Sequence, residues 1–404
     1  MKLNLPSPFL ILKKQTGIAI ITAILALSFL VYLATQVTYD ATVEYAINSQ
    51  DVKRLKSYYA AKAGIELSLL RVKTYQQVAK KIGKDINNYP MVNMIWQYPL
   101  QWPLAVPEGN ISLTDKQNIT ESGQDSFFDA SFSATISDEG SKIDLNDLVS
   151  QSKILRDSTR RLLLNTFAQQ IENDEKFARK YRNFRFEELI NQITDFMSDK
   201  RASLNGGDKA SAYSQSDYEG YPPNRGFRTV RELRVIPLME EELFQLLENR
   251  VTTFGLKGIN PNSATKDVLM SIDVAITSEI ADKLIARRQN EQEGGPFKSA
   301  DDFWASVTNF GARITADPKE VPIVTESLVS FHIKSIGVYS NVKSTIEVIA
   351  VDIDSIATRV STNVSQENPP PPPPAGAPAP PAPAPPPVKP LPPGSPRILY
   401  WTEY

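Results

Sequence analysis

Five acidic side chains, Asp195, Asp199, Asp208, Asp217 and Glu219, gather in a stretch that turns on Gly206-Gly207 and ends at Tyr221-Pro222-Pro223-Asn224-Arg225. Hard cations such as calcium take about six to eight oxygens from carboxylates, carbonyls and water, and a long loop can wrap them. Calcium held by these five residues is one reading. The spacing is not that of an EF-hand, and Lys200, Arg201 and Lys209 lie among the acids, so a plain solvated loop is the other. Paired carboxylates also cleave glycosidic bonds, but they then need a cleft lined by aromatic rings, and only tyrosines stand near. A hydrolase built on this loop has no companion nucleophile or base. The chain holds one histidine, His332, and no cysteine. That count excludes histidine-based triads and His-rich zinc sites.

A second chemistry would be done to the chain rather than by it. Lys13-Lys14-Gln15-Thr16-Gly17 runs into the twenty residues from Ile18 to Val37, which carry Thr22, Ser28, Thr35 and Gln36 as polar relief and no carboxylate before Asp40. At about 1.5 Å per residue a helix of this length reaches about 30 Å, the thickness of a bilayer's hydrocarbon core. Lys2, Lys13 and Lys14 in the leader, with no acid beside them, place the N-terminus in the cytoplasm and the rest across the membrane. A secretory signal would have a shorter apolar core and a small-x-small pair after it. Here a glycine stands at the membrane entry instead, and Gly17 and Ile18 mark the expected processing position.

The remainder must be positioned by that stem. The formal charge is −2, and taking away the three leader lysines leaves −5, which lacks the basic balance of a nucleic-acid binder. No proline occurs between Pro8 and Pro90, so the helix is expected to continue from Thr38 to about Ile82. Ile65, Leu69 and Val72 recur at i, i+4 and i+7, an apolar stripe that needs a partner in the chain's own lobe or in a neighbouring helix. Pro90 to Pro107 reads as an irregular connector or edge strand. Gly109 to Leu113 and Phe127 to Ile136 alternate as half-buried strands, and Phe331 to Tyr339 with Lys343 to Ile353 form a hairpin about Ser340-Asn341. Leu162 to Lys180 and Phe186 to Met197 read as amphipathic helices. Strands on either side of a helical block imply one sheet with an insertion. Sixteen of the twenty-five residues 369–393 are proline, an extended spacer. It leads to the apolar tag Arg397-Ile398-Leu399-Tyr400-Trp401, which either trails freely or docks back as a strand.

Within the helical block a pattern recurs. Ile143-Asp144-Leu145-Asn146 resembles Ile259-Asn260-Pro261-Asn262, and Phe227-Arg228-Thr229-Val230-Arg231-Glu232-Leu233 resembles Phe297-Lys298-Ser299-Ala300-Asp301-Asp302-Phe303. Two similar helical units are implied. Asn or Asp can cap the first helix of each, and Thr229 or Ser299 the next, with Glu232 or Asp302 closing a capping box. The second copy is similar to helix-hairpin-helix modules, which bind DNA phosphate through a Gly-hydrophobic-Gly turn. Its turn is Val274-Ala275-Ile276-Thr277, without glycine, and Arg287 and Arg288 are the cations such binding would use. A membrane-anchored DNA-binding protein is thus the alternative reading.

Together, Gly17 before the apolar helix, Asp138-Glu139-Gly140-Ser141-Lys142-Ile143-Asp144-Leu145-Asn146, Pro223-Asn224-Arg225-Gly226-Phe227, Ile259-Asn260-Pro261-Asn262 and Gly295-Pro296-Phe297 resemble the minor pseudopilin K family of type II secretion systems. The resemblance covers Lys14 to about Ile353. It implies an α+β fold: a long N-terminal transmembrane helix and an antiparallel pseudopilin sheet interrupted by a large inserted helical, helix-hairpin-helix-like domain. The expected order is a leader (1–17), transmembrane and stem helix (18–89), first part of the sheet (90–142), insert (143–317), second part of the sheet (318–356), proline-rich linker (357–396) and C-terminal tag (397–404). The family further implies cleavage by prepilin peptidase between Gly17 and Ile18, with Ile18, in place of the commoner phenylalanine, as the methylated first residue. Thr22 then stands at mature position five, where most pseudopilins carry a glutamate. A carboxylate in lipid without its partner is costly, so its loss fits a subunit with nothing above it. The implied partners are minor pseudopilins I and J in a tip complex, the major pseudopilin, prepilin peptidase and the membrane, with no nucleic acid. The implied role is non-enzymatic: capping the pseudopilus tip, in the inner membrane with the globular part in the periplasm. Calcium binds some members, although Ser198 and Lys200 stand where acids are often found. The proline tail is not a usual family feature.

Overall fold

The apolar run enters the folded part without a break. Helix α1 (Thr16–Ile82) is 67 residues long, and its side chains from Ile18 to Ile47 are exposed. Among the described residues it is the one helix long and apolar enough to cross a membrane. Beyond Lys56 one face is buried: Ala60, Ala61, Ile65 and Val72 lose nearly all contact with water, and Leu69 is half-buried. The stripe therefore finds its partner in the chain's own sheet. The structure, a computed structural model, describes residues 16–83, 89–103, 129–214, 220–325, 328–367 and 396–404. The strand expected at Gly109 to Leu113 lies outside these, as does the start of the one expected at Phe127.

Five antiparallel strands form the sheet under α1. They are β1 (Leu100–Trp102), β2 (Ser131–Asp138), β5 (Ser330–Tyr339), β6 (Val342–Val351) and β7 (Arg397–Glu403), in the order β1-β2-β5-β6-β7. A separate parallel pair, β3 (Ile143–Asp144) and β4 (Val251–Thr252), opens and closes part of the insert. In the sheet, Ile136 faces Ile333 and Ile333 faces Val348, so alternate residues point at α1. Phe331, Ile333, Ile346, Val348, Ala350 and Trp401 form that face with Ile65, Val72 and Tyr75 of α1. The tag docks: Val348 faces Trp401, and Thr345 exchanges both main-chain bonds with Tyr404, at 2.7 and 3.0 Å. Docking places an apolar strand at the sheet edge, with Trp401 against the α1-facing core.

The helical block lies between β2 and β5. Its helices are α2 (Lys153–Asn173), α3 (Glu175–Tyr181), α4 (Phe186–Met197), α5 (Glu241–Glu248), α6 (Lys266–Ile272), α7 (Ser278–Gln289) and α8 (Ala300–Asn309). One core joins them, with Phe167, Phe196, Phe244, Phe297 and Phe303 at its centre. The helix expected from Leu162 to Lys180 is broken at Asp174. That residue is extended (φ −129°), and its carboxylate accepts the N–H groups of Lys176 and Phe177 at 2.9 and 3.1 Å, which starts a new helix. A further helix, α9 (Ile353–Glu367), occupies residues assigned from composition to the linker. Glu367 holds its end in place by accepting from Lys153 N at 2.8 Å, Ile154 N at 3.0 Å and the Ser152 hydroxyl. A carboxylate there meets the positive end of α2.

Helix α1 crosses the sheet in a direction that separates the stem from the insert. Ser57 and Ala61 lie against Gly337, near the end of β5, whereas Tyr75 lies against Phe331, near its start. The Tyr75 hydroxyl accepts Leu328 N at 3.1 Å. The insert leaves the sheet after Asp138, which pairs with Phe331. It is thus attached at the end of the sheet farthest from the exposed apolar stem. Close contact of helix and sheet depends on Gly337, where an added Cβ would stand 2.0 Å from the Ser57 carbonyl and 2.3 Å from Ala61 N. These are backbone atoms and cannot step aside. Gly337→Ala should therefore cost about 1–3 kcal/mol, seen as a lowered thermal midpoint. Lys343→Ala, at an exposed position near the start of β6, should leave it unchanged. Equal midpoints for Gly337→Ala and the parent would contradict this packing.

Candidate functional site

At the N-terminal end, the bond between Gly17 and Ile18 lies in the first turn of α1. The Thr22 hydroxyl donates back to the carbonyls of Ile18 at 2.7 Å and Ala19 at 3.1 Å. It is satisfied within its own helix, so it can sit in an apolar medium without a partner. Thr38 and Thr42 do the same one turn apart, at 2.8 and 2.7 Å.

At the other end, the two motif copies build two matching closures. In the first unit Ile143 pairs in parallel with Val251. In the second, Ile259 bridges in parallel to Ile323. Three residues beyond each isoleucine an asparagine reaches across its unit. Asn146 Oδ1 accepts Phe227 N at 2.8 Å, and its Nδ2 donates to the carbonyls of Phe227 and Thr253, each at 3.1 Å. Asn262 Oδ1 accepts Phe297 N at 2.7 Å while its Nδ2 donates to Phe297 O at 2.9 Å. A carboxamide supplies one acceptor and one donor side by side, which is what the N–H and C=O of one extended residue require. Both phenylalanines are buried. Glu232 accepts from Arg228 N at 3.3 Å and from Arg225 at 2.9 Å, and Asp302 accepts from Lys298 N at 2.9 Å and Arg287 at 2.7 Å. Ser299 caps its helix through Asp302 N at 3.1 Å, with Asp302 reaching back to Lys298 N, whereas Thr229 makes no side-chain cap. In these clamps the asparagines bridge distant turns, where simple helix caps were expected. The helix punctuation falls to their neighbours Asp144 and Asn260, which each accept an N–H two residues on at 3.0 Å.

Where the copies differ, they join the molecule together. Asp144 of the first unit holds Lys257, in the link between units, at 2.6 Å, and Asp147 holds it at 2.8 Å. Burial opposes the Lys257 charge, but the two carboxylates outweigh it and raise its pKa. Asp147 is itself raised, by burial and then by the charge of Asp144. At the matching position of the second unit, Asn260 donates instead to Asp138 of β2 at 2.9 Å. Asp138 also accepts from Ser263 and from Gly140 N at 2.8 Å, and burial pushes its pKa up to about 6. Sequence reasoning gives no such role to Asp138, Asp147 or Lys257. The one signal is the Asp-to-Asn difference at two otherwise matching positions.

The residues that DNA binding would use are engaged internally. Arg287 pairs with Asp302, and Arg288 donates to the carbonyls of Pro261 at 2.6 Å and Ala264 at 2.8 Å. The turn 274–277 follows the buried Asp273, whose carboxylate accepts Ala275 N at 2.8 Å and the N–H groups of Thr315 and Ala316. Of the turn's other donors, Ile276 N and Thr277 N bond to the carbonyls of Asp273 and Ala275. His332 lies on β5 with Nδ1 3.4 Å from Glu139 and Nε2 3.7 Å from Glu347, and burial keeps its pKa below the ordinary value. It faces a cleft of about 510 Å³ between the sheet and the insert, also lined by Arg228, Arg231, Tyr400 and Tyr404.

The acidic loop does not assemble a carboxylate cage among its described members, and no three His, Cys, Asp or Glu side chains converge among the described residues. Asp195 is buried, accepting the Ser203 hydroxyl at 2.6 Å and Leu204 N at 3.0 Å. Asp208 pairs with Arg201 at 2.8 Å and caps Ala210 N at 3.0 Å. Asp199 is exposed, and Asp217 and Glu219 lie outside the described residues. Of the described acids, Asp195 and Asp208 thus already have protein donors on their carboxylate oxygens, and Asp199 is open to solvent.

The clamps carry a test of the two-unit reading. Asn146→Leu and Asn262→Leu each strip partners from buried main-chain groups, at about 1–3 kcal/mol per orphaned group. Thermal midpoints should fall for both, and further for Asn146→Leu, which loses three bonds against two. A midpoint that either substitution leaves unmoved would show that its clamp does not hold the unit.

Comparison with known proteins follows the same division. A family model described as type II secretion system (T2SS), protein K, matches residues 141–255, and a second of the same description matches 259–321. Their limits fall within a few residues of the first and second closure. Among solved structures, the chain is similar to a chain of the GspK-GspI-GspJ complex from the type 2 secretion system of enterotoxigenic Escherichia coli. The TM-score is 0.53 at 15% identity, covering 77% of this chain and 95% of that one, a likeness of fold. No curated protein sequence matches. Residues 141–255 and 259–321, and with them both closures of the insert, are therefore those of the type II secretion system protein K family.

Proposed function

We propose that this chain is a pseudopilin of type II secretion and the terminal subunit of its filament, seated at the tip with the insert outermost. The observation that carries this reading is the placement of the insert. It leaves and rejoins the sheet at the end remote from the exposed apolar stem, between Asp138 and Ser330. A filament built of stems side by side would then have this helical mass beyond its last turn, where a further subunit would have to enter. Thr22 supports the same reading, since a subunit with no neighbour above has no terminal amine to pair with. Its hydroxyl is bonded within α1.

In this account the leader lysines stay in the cytoplasm and the sheet and insert face the periplasm. Prepilin peptidase cuts between Gly17 and Ile18, Ile18 is methylated, and the inner membrane holds α1 until the filament takes it up. The E. coli chain of similar fold was solved with GspI and GspJ. By that likeness the proposed neighbours are minor pseudopilins I and J, with the major pseudopilin below them. The work is assembly, with no catalytic step asked of any residue.

The natural absence of cysteine makes the test clean. In Thr22→Cys, cross-linking in membranes of secreting cells should give adducts with other pseudopilins and no chain-to-chain dimer. Mass spectrometry of the extracted protein should find a chain starting at Ile18. Dimers of this chain would contradict terminal placement, and an uncut Met1 leader would contradict the processing.

A further inference from the structure

The described part of the acidic loop holds a buried positive charge that belongs to the chain. Helix α4 ends at Met197, where Ser198 N bonds to the Thr194 carbonyl. The last carbonyls of a helix lack donors from the next turn and must find them elsewhere. Here Lys209 supplies one. Its ammonium donates to the Asp195 carbonyl at 3.1 Å and to that of Ser198, and the residue is only 6% exposed. A cation at a helix C-terminus is also favoured by the dipole. Burial lowers the pKa of Lys209, and the charges of Asp195, Asp199 and Asp208 oppose that shift.

The loop fixes the main chain from which this lysine reaches. Asp208 caps the turn Lys209–Tyr213 through Ala210 N, and Lys209 N bonds to Arg201 O at 3.2 Å. Across the loop, Asp195 binds Ser203 and Leu204, and Asn205 reaches back to the Glu188 carbonyl at 2.8 Å. Carbonyl and carboxylate oxygens around a buried positive centre are the surroundings a hard divalent ion would seek. The ammonium and such an ion could not share the same two carbonyls, because like charges a few ångströms apart repel strongly in a site shielded from water.

We infer that Lys209 is the loop's resident cation, holding the Asp195 and Ser198 carbonyls so that this part of the insert folds without calcium. This goes beyond the tip assignment and stands whether or not that assignment holds. The test is thermal unfolding of the full-length chain in detergent, with calcium chloride or with chelator, together with calorimetric titration of calcium. The wild-type midpoint should be the same in both solutions, with no saturable heat of binding. Lys209→Met should lower the midpoint by roughly 5 °C or more in both, having left one buried and one half-buried carbonyl short of a donor. A wild-type midpoint that rises with calcium would overturn the inference, as would a Lys209→Met midpoint equal to wild type. Should Lys209→Met fail to fold, the wild-type comparison decides alone.

Discussion

A buried carboxylate on the last residue of β2 closes the molecule. β2 and β5 are neighbours in the sheet, yet nearly two hundred residues separate them in sequence, so the insert must end about one strand spacing, about 5 Å, from where it began. Pairing of β2 with β5 fixes that end, and Asp138 ties the start of the second unit to the same place. It gathers Gly140 N, Asn260 and Ser263, while Gly140 O accepts Asn260 N at 3.0 Å. The first step of the second unit is thereby bound to the point where the chain leaves the sheet. Burying a charge is expensive unless donors surround it. Here burial raises the Asp138 pKa to about 6, and the three donors oppose the rise.

From that closure the division of labour follows. The sheet needs α1 as its second layer, and Gly64 and Gly337 let the two approach closely. The same helix then extends as an apolar stem at one end, which leaves the opposite end of the sheet to carry the insert. The insert's own core is made by two closures of like design. The residues that differ between them, Asp144 and Asn260, attach the units to each other and to the sheet. The C-terminal strand completes the edge, with the Tyr404 hydroxyl bonded to Glu347. A long spacer need not prevent such docking, since loop closure cost grows only slowly with length.

Much of this is legible in the sequence. The stem, the β5–β6 hairpin, the insertion and the paired motifs all follow from periodicity and from repeated residues, which local physics reads directly. Asn146 and Asn262 are visible as repeats, but their use is not, because a clamp across many residues leaves no local pattern. The break at Asp174 and the capping of α2 by Glu367 are hidden for a related reason: one competes with helix propensity and the other joins elements far apart in sequence. Counting carboxylates in the acidic loop suggests an external cation, yet Lys209, the lysine that weakens that reading, is in our inference the cation itself. Two of the five acids, Asp217 and Glu219, fall outside the described residues.

The claim on which the functional account turns is that the insert ends the filament. Its most direct test is immunogold labelling of pseudopili sheared from secreting cells, with an antibody raised against the insert. The account predicts label at a single end of each filament. Label distributed along the length would contradict it, because a subunit whose insert blocks the next position cannot recur within the shaft.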